Sequence, residues 1–413
     1  MNFARYWILL VCPLFAAADW PQFRGPAGDG HGSARNLPAT WSETKNVAWK
    51  TAIPGKGWSS PVLVADKLYL TTAAPLDPGS ASRGELSLRG LCLDAATGKI
   101  LWDKEVFRQD AGAPAIHTKN SHASPTPLIT GGRLYVHFGH QGTACLDPAG
   151  NILWQNRKNA YEPVHGNGCS PILVDGLLIF SCDGATNPYV VALRAANGQE
   201  AWRFSRPGDP PKKFSFCTAT LIEVDGQKQV ICPAAGVVNA LDPASGREIW
   251  RVTTEGYSVI PKPIFGQGLV LLSTGYDAPE FVAIRPTGRG DVTSSHVAWT
   301  AQRGAPHTPS PLLVGDEVYL VSDKGVATCL DVKTGREHWQ KRVVGNYSSS
   351  PVFADGKIYI QSEEGPAVVI APSKEFTKLA DAGFQERTLA SYAVGDDCLF
   401  IRTEKNLYRV QSR

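Results

Sequence analysis

The chain has 413 residues, 43% of them hydrophobic, enough to bury a large core, and length alone predicts two or three domains. The 41 Lys and Arg against 38 Asp and Glu leave a formal charge of +3, which excludes a basic nucleic-acid surface, a polybasic membrane patch and a charged disordered tail. Gly 40 and Pro 30 together exceed the ~12% of an average globular chain, but 11 Trp and 12 Tyr are foreign to disordered segments, so the composition predicts many short strands joined by turns.

In chain order, residues 1–18 have the pattern of a secretory signal peptide: Arg5, an apolar run from Tyr6 to Phe15, and Ala16-Ala17-Ala18 as the cleavage site, which places the mature start near Asp19 and the protein in the periplasm or outside the cell. The run is shorter than the ~20 apolar residues of a membrane span, and no later segment could span. Cys12 follows Leu10-Val11 rather than the small residue of a lipid-attachment site, so anchoring there is not expected. Residues 19–45, with glycines from Gly25 to Gly32, follow no strand and open no helix, and so are expected to form an extended strap, not a phosphate-binding loop.

From residue 46 onward one pattern recurs: a Ser-Pro-like start, a few apolar residues, a Gly/Asp turn, and a second apolar run ending in an aromatic. Its starts fall at Pro61, Pro127, Pro171, Leu221, Pro263, Pro311, Pro351 and Ser391, at steps of 40 to 66 residues, the length of one four-stranded propeller blade. Each start predicts a hairpin, as in Pro351-Val-Phe-Ala-Asp-Gly356-Lys-Ile-Tyr-Ile360. A second hairpin follows in the phrase Leu93-Asp94-Ala-Ala-Thr97-Gly98-Lys-Ile-Leu-Trp102, echoed from Leu241 to Trp250 and from Leu330 to Trp339, with weaker copies ending at Trp154, Trp202 and Trp299. The Gly supplies the positive φ of the turn, Asp and Thr can bond turn amides, and the Trp is expected to pack on the neighbouring blade. The unit at Pro351 has an outer strand expected over Glu375–Ala380 without Trp, and the unit at Ser391 lacks an outer strand altogether. Asn46-Val-Ala-Trp49-Lys50 supplies the missing one. The fold class is therefore all-β: a single eight-bladed β-propeller over residues 46–413, its last blade closed by the N-terminal strand.

The repeated Leu-Asp-x-x-Thr-Gly-x-x-x-Trp phrase resembles the tryptophan-docking motif of the pyrroloquinoline-quinone-like (quinoprotein-type) propellers, which include quinoprotein alcohol dehydrogenases and the lipoprotein of the outer-membrane assembly machinery. Asp19-Trp20-Pro21-Gln22-Phe23-Arg24-Gly25-Pro26 resembles the opening segment of secreted members. In the dehydrogenase branch the resemblance implies an adjacent Cys-Cys disulfide over the cofactor, a Trp floor, and calcium held by Glu, Asn and Asp beside a catalytic Asp. This chain has no adjacent cysteines and no Cys-x-x-Cys-His, and its size is nearer to the non-catalytic members. The resemblance thus implies a monomeric binding scaffold in the cell envelope, with an envelope protein or a saccharide as partner and no cofactor or metal. The alternative is a quinone- and calcium-dependent alcohol or sugar dehydrogenase.

Of the eight cysteines after Cys12, Cys92, Cys145 and Cys329 precede Leu-Asp in the docking phrase and are expected as small buried fillers. Cys169 and Cys182 are equidistant from the Asp175-Gly176 turn and could bridge. Cys217 and Cys232 could do so across an irregular turn, and Cys398 has no evident partner.

In a blade, the loop entering the inner strand and the loop joining the second and third strands share one face around the channel. The entering loops offer Trp58, His117, His122, His165, Asn167, Tyr257, His307, Tyr347 and Arg387; the others offer His137, His140, Asp183, Tyr276, Asp277, Asp323, Lys324, Glu363, Glu364, Arg402 and Glu404. Among these, Trp58, His122, His165, Asn167, Tyr257, His307, Tyr347, Asp183, Asp277, Lys324 and Arg402 are the expected binding set, since ligands settle where loops converge on a concavity. The histidines lack metal-ligand spacing, and no hydrolase or nucleotide-binding motif is present. The inserts Ala73–Gly90 and Asp103–Ser121 are the longest departures from the repeat.

Overall fold

The computed structural model describes residues 19–77, 85–277 and 279–412; the signal peptide with Cys12, and the middle of the Ala73–Gly90 insert, lie outside the described residues. Eight antiparallel sheets form a ring, each running from an inner to an outer strand. Blade 1 comprises Val62–Val64, Lys67–Pro75, Leu86–Asp94 and Ile100–Gln109. Blade 8 takes Ala393–Val394, Cys398–Arg402 and Asn406–Gln411 from the end of the chain and Val47–Ala52 from its start, so that the first strand pairs antiparallel with the last. The inner and middle strands are apolar on both faces because each blade is sandwiched between two others, whereas the outer strands alternate.

The docking phrase works between blades. Asp94 Oδ1 accepts the Thr97 amide and hydroxyl, both at 2.7 Å, and Asp242 and Asp331 repeat this with Ser245 and Thr334. The Trp of one blade lies over the turn glycine of the next and donates Nε1–H to a carbonyl there: Trp49 to Ala95, Trp154 to Ala195, Trp202 to Pro243, Trp299 to Val332, at 2.9–3.1 Å. Trp250 departs from this. The following turn is replaced by Gly290–Asp291, which adds a parallel fifth strand to blade 4, and by the short helix Thr293–His296. Trp250 instead donates to Gln229 Oε1, whose Nε2–H reaches Pro286 O, so one amide relays the contact.

Two expectations are corrected. The outer strand of blade 7 runs Lys378–Gly383, three residues later than expected, because the turn after Ile370 extends through Thr377. The bridges Cys169–Cys182 and Cys217–Cys232 are not formed, and all four are free, buried thiols. Cys169 Sγ is engaged by the Ser181 amide at 3.4 Å, and Cys217 Sγ donates to Pro261 O at 3.2 Å. The regular ladder ends at Thr220↔Ile231, and Cys217 lies three positions beyond that end on one strand while Cys232 lies one beyond it on the other, so they do not face each other. Cys92, Cys145 and Cys329 are buried fillers.

The strap crosses the ends of the inner strands away from the entering loops. Trp20 pairs with Leu63, Gly32 bonds Phe353 O and Arg35 bonds Asp396 O. Arg24, fully buried, donates to Asp29 O, Pro311 O and Pro351 O, and burial pulls its guanidinium down to about 10. Lys262 Nζ donates to Gly28 O at 2.6 Å; burial, then repulsion from Arg24, pulls its ammonium down to about 7. The channel is thus closed at this end by the chain's own N-terminal segment.

Candidate functional site

At the other end the channel opens into a chamber of about 490 Å³ with Phe23 of the strap in its lining. Its wall carries a hydroxyl residue from seven of the eight blades, just before the inner strand: Ser60, Thr126, Ser170, Thr218, Ser310, Ser350 and Ser391; the equivalent position of the remaining blade is Lys262, which lies outside the lining. Ser60 N–H bonds Thr126 Oγ1, Thr126 N–H bonds Ser170 Oγ, and Ser170 N–H bonds Thr218 Oγ1. Beyond Lys262, whose amide bonds Ser310 Oγ, the series continues through Ser350 to Ser391, all at 2.9–3.0 Å. These bonds stitch the inner strands into two runs of four, Ser60 to Thr218 and Lys262 to Ser391. They are the physical content of the Ser-Pro starts in the repeat, a signal present in the sequence but not read as channel lining.

Above this wall the two loop sets meet on one face, as the Tyr347 amide bonding Asp323 O and the Thr388 amide bonding Glu363 O show. An arc of rings follows the mouth: His117, His165, Phe214, Tyr257, Tyr276 and His307, with centroid separations of 5.6, 5.2, 5.4, 6.3 and 4.6 Å. Trp58 completes the lining, with Lys56 Nζ and Arg387 Cζ each 5.8 Å from its ring. Lys119, from the Asp103–Ser121 insert, reaches across the mouth to Glu363 Oε1 at 2.8 Å, which also accepts Ser348 O–H at 2.6 Å. Lys119, Phe214, Phe216 and Phe23 were not in the expected set, since loop conformation, not spacing, brings them there.

Of the expected binding set, Trp58, His165, Asn167 and Tyr257 line the chamber. Asn167 is a tether, donating to Phe138 O and accepting Tyr161 O–H at 2.8 Å. His307 lies against Tyr276, and its amide bonds Asp323 Oδ2 at 2.7 Å. Lys324 and Asp277 are exposed on the rim, Asp277 at 3.5 Å from Lys212. His122 is half-buried, its Nδ1 unbonded, and burial pulls its imidazole down to about 4. Three are taken up inside the blades. Tyr347 is fully buried and donates to Val344 O at 2.6 Å. Asp183 forms a buried ion pair with Arg206 at 2.8 Å, where burial holds its carboxyl above the usual range. Arg402, buried without a carboxylate, donates to Ser59 O, Ser59 Oγ and Thr71 O across the seam between blades 8 and 1, and burial pulls it down to about 9. Their side chains turn into the blades because the seams hold unmet carbonyls and a buried counter-charge.

The donors do not fit a calcium-held quinone. Asp323 is bonded to the His307 and Thr308 amides and Glu363 to Lys119 and Ser348, while Asn120 and Asn167 are committed to backbone carbonyls. Among the described residues no group of three His, Cys, Asp or Glu could hold a metal ion.

A family model described as "Outer membrane protein assembly factor BamB" matches residues 91–339 and 234–379. Methanol dehydrogenase [cytochrome c] subunit 1 of Methylobacterium organophilum is 26% identical over 33% of this chain and 24% of its own length, and the outer membrane protein assembly factor BamB of Burkholderia pseudomallei is 30% identical over 25% and 28%. The chain therefore spans about a quarter of the length of the curated relatives it matches. Among solved structures, the quinohemoprotein alcohol dehydrogenase of Comamonas testosteroni aligns over 96% of this chain and 81% of its own with a TM-score of 0.68, and BamB of Moraxella catarrhalis over 87% and 98% with 0.56, each at 14% identity, a likeness of fold. With its docking phrases engaged blade on blade and the family model matched across most of its length, the chain belongs to the pyrroloquinoline-quinone-like β-propeller repeat family.

Proposed function

We propose that this protein is an exported, monomeric binding scaffold of the cell envelope, which recognises an envelope protein or a saccharide through its channel face without catalysing a reaction. The observation that carries the reading is the state of the acids near the chamber. Glu363 is held by Lys119 and Ser348 and Asp323 by two backbone amides at Oδ2, in a wall otherwise of hydroxyls and rings suited to recognition rather than to a metal-assisted step. The near-neutral charge argues against nucleic acid as partner, and no helix among the described residues is long and apolar enough to cross a membrane. A dehydrogenase reading draws on the TM-score of 0.68 to a quinohemoprotein alcohol dehydrogenase. Titration calorimetry with pyrroloquinoline quinone, with and without calcium, separates the two. The scaffold reading expects no calcium-dependent heat and no dye reduction with alcohols or sugars, and either signal would overturn it.

A further inference from the structure

We propose that the chamber binds an acidic saccharide, a ring bearing several hydroxyls and a carboxylate; this rests on, and deepens, the binding reading above. The hydrogen bonds around the chamber are unbalanced. Six wall hydroxyls, of Thr126, Ser170, Thr218, Ser310, Ser350 and Ser391, each accept an amide N–H, yet among the described residues none donates its own proton to an acceptor. Trp58 also lines the chamber with 6% of its surface exposed; its Nε1–H is buried, so other atoms of the residue make up what a ligand can touch. A buried donor left without an acceptor is costly, so this wall calls for a ligand that presents several acceptor oxygens around its edge.

Charge points the same way. Lys56 and Arg387 flank Trp58, and neither has an ion-pair partner among the described residues. Glu363 is ion-paired with Lys119, Asp323 in the lining accepts the His307 and Thr308 amides through Oδ2, and Glu404, whose amide bonds Arg387 O, lies outside the lining, as Lys56 and Arg387 do at its edge beside Trp58. The charges beside the Trp58 ring are thus cationic. Rings supply the remaining chemistry: the C–H face of a sugar can lie on Trp58, Phe214 or Tyr257, while its oxygens reach the hydroxyls below. A flat aromatic acid would satisfy the cations and rings but leave the wall hydroxyls unmatched. The volume suits a mono- or disaccharide, within the ~300–1,000 Å³ of small-ligand sites.

The test is titration of the full mature protein with digalacturonic acid, its dimethyl ester, and phthalate as the aromatic acid, at low and moderate salt. The acid is expected to bind at least about tenfold more tightly than the ester, the worth of one charge-assisted hydrogen bond, with the gap narrowing as salt rises. Trp58→Phe keeps an aromatic ring but loses the pyrrole half of the indole, and with it stacking area, so the fold should persist while affinity for acid and ester alike drops about tenfold. Arg387→Gln should erase most of the preference for acid over ester while sparing ester binding. Equal affinity for acid and ester, tighter binding of phthalate, unchanged affinity in Trp58→Phe, or no binding of the acid at millimolar concentration would each overturn the proposal. The binding reading itself fails separately, through calcium-dependent quinone uptake or through dye reduction when the saccharide is added.

Discussion

Gly246 sits at φ +71°, and a Cβ there would lie 2.5 Å from Trp202 Cε3 of the preceding blade. Gly226, in the hairpin turn of the same blade, has nearly the same φ, +76°, and open space where a Cβ would go. The pair separates two costs that a docking-motif glycine combines. Gly226→Ala should lose about 1–2 kcal/mol, the left-handed backbone alone. Gly246→Ala must also displace the indole and weaken its 2.9 Å bond to Pro243 O, and should lose about 2–4 kcal/mol. Chemical denaturation of both variants checks this, and equal losses would show that the Thr-Gly phrase serves the turn and not the docking. At this scale the sequence was legible where a residue's task is local: Asp94, Thr97 and Gly98 make the turn their spacing implies. It was illegible where a side chain chooses between the channel and a seam, as Asp183 and Arg402 do, because that choice depends on a partner such as Arg206 or Ser59 in another strand or blade.

The second strand of blade 2, Arg133–His137, ends on a histidine whose place in the element dictates its chemistry. His137 is fully buried, its Nδ1 is 2.8 Å from Thr143 Oγ1, its Nε2 has no partner, and its ring lies 4.4 Å from Phe180 of blade 3. Burial, then repulsion from His140, pulls it down to about 3; nearby, the His122 imidazole falls to about 4 for the same two reasons in the same order. Both folded values lie below the ordinary 6.5, so between pH 6.5 and 4 the unfolded chain binds protons that the folded one refuses. Stability is therefore present near neutrality and lost as pH falls through that window, His137 and His122 each adding up to about one proton to the slope, with His140 and His165, also held below 6.5 chiefly by burial, adding in the same direction. Equilibrium unfolding from pH 7 to 4 should show it, and His137→Phe should remove about one proton's share of the slope whatever it does to stability at pH 7. An undiminished slope in that variant would place the acid sensitivity elsewhere. The histidines were visible in the sequence as a cluster on one face, but the distinction between His165 on the chamber and His137 inside the blade rests on strand length, which turn spacing alone does not set.

Closure is the property of the whole molecule. A ring of blades gives every sheet two neighbours, whereas an opened ring is a linear array with two exposed ends, and stability in such arrays is a sum of nearest-neighbour contacts. Three devices close this ring at one seam: Val47–Ala52 pairing with the last strand, the strap laid from blade 1 to blades 7 and 8, and the Arg402 guanidinium donating to Ser59 and Thr71. The first was legible because the last repeat lacked an outer strand. The strap's course and the Arg402 link were not, since the Arg402–Ser59 bond joins residues 343 apart with no periodic signature. Arg402→Leu leaves Ser59 O and Thr71 O, both of blade 1, without the donor that reaches them from blade 8. It should cost about 3–5 kcal/mol, as losing one partner of a buried charged network does. The loss should also be local in the first instance. Amide hydrogen exchange should rise in Ser59–Val64 and Ala393–Arg402 while blades 3 to 5, far around the ring, keep their protection until global unfolding. A uniform loss of protection would mean that closure is shared by all eight interfaces and that the seam is no weaker than the rest. Rising exchange confined to the seam would identify the point at which this propeller opens.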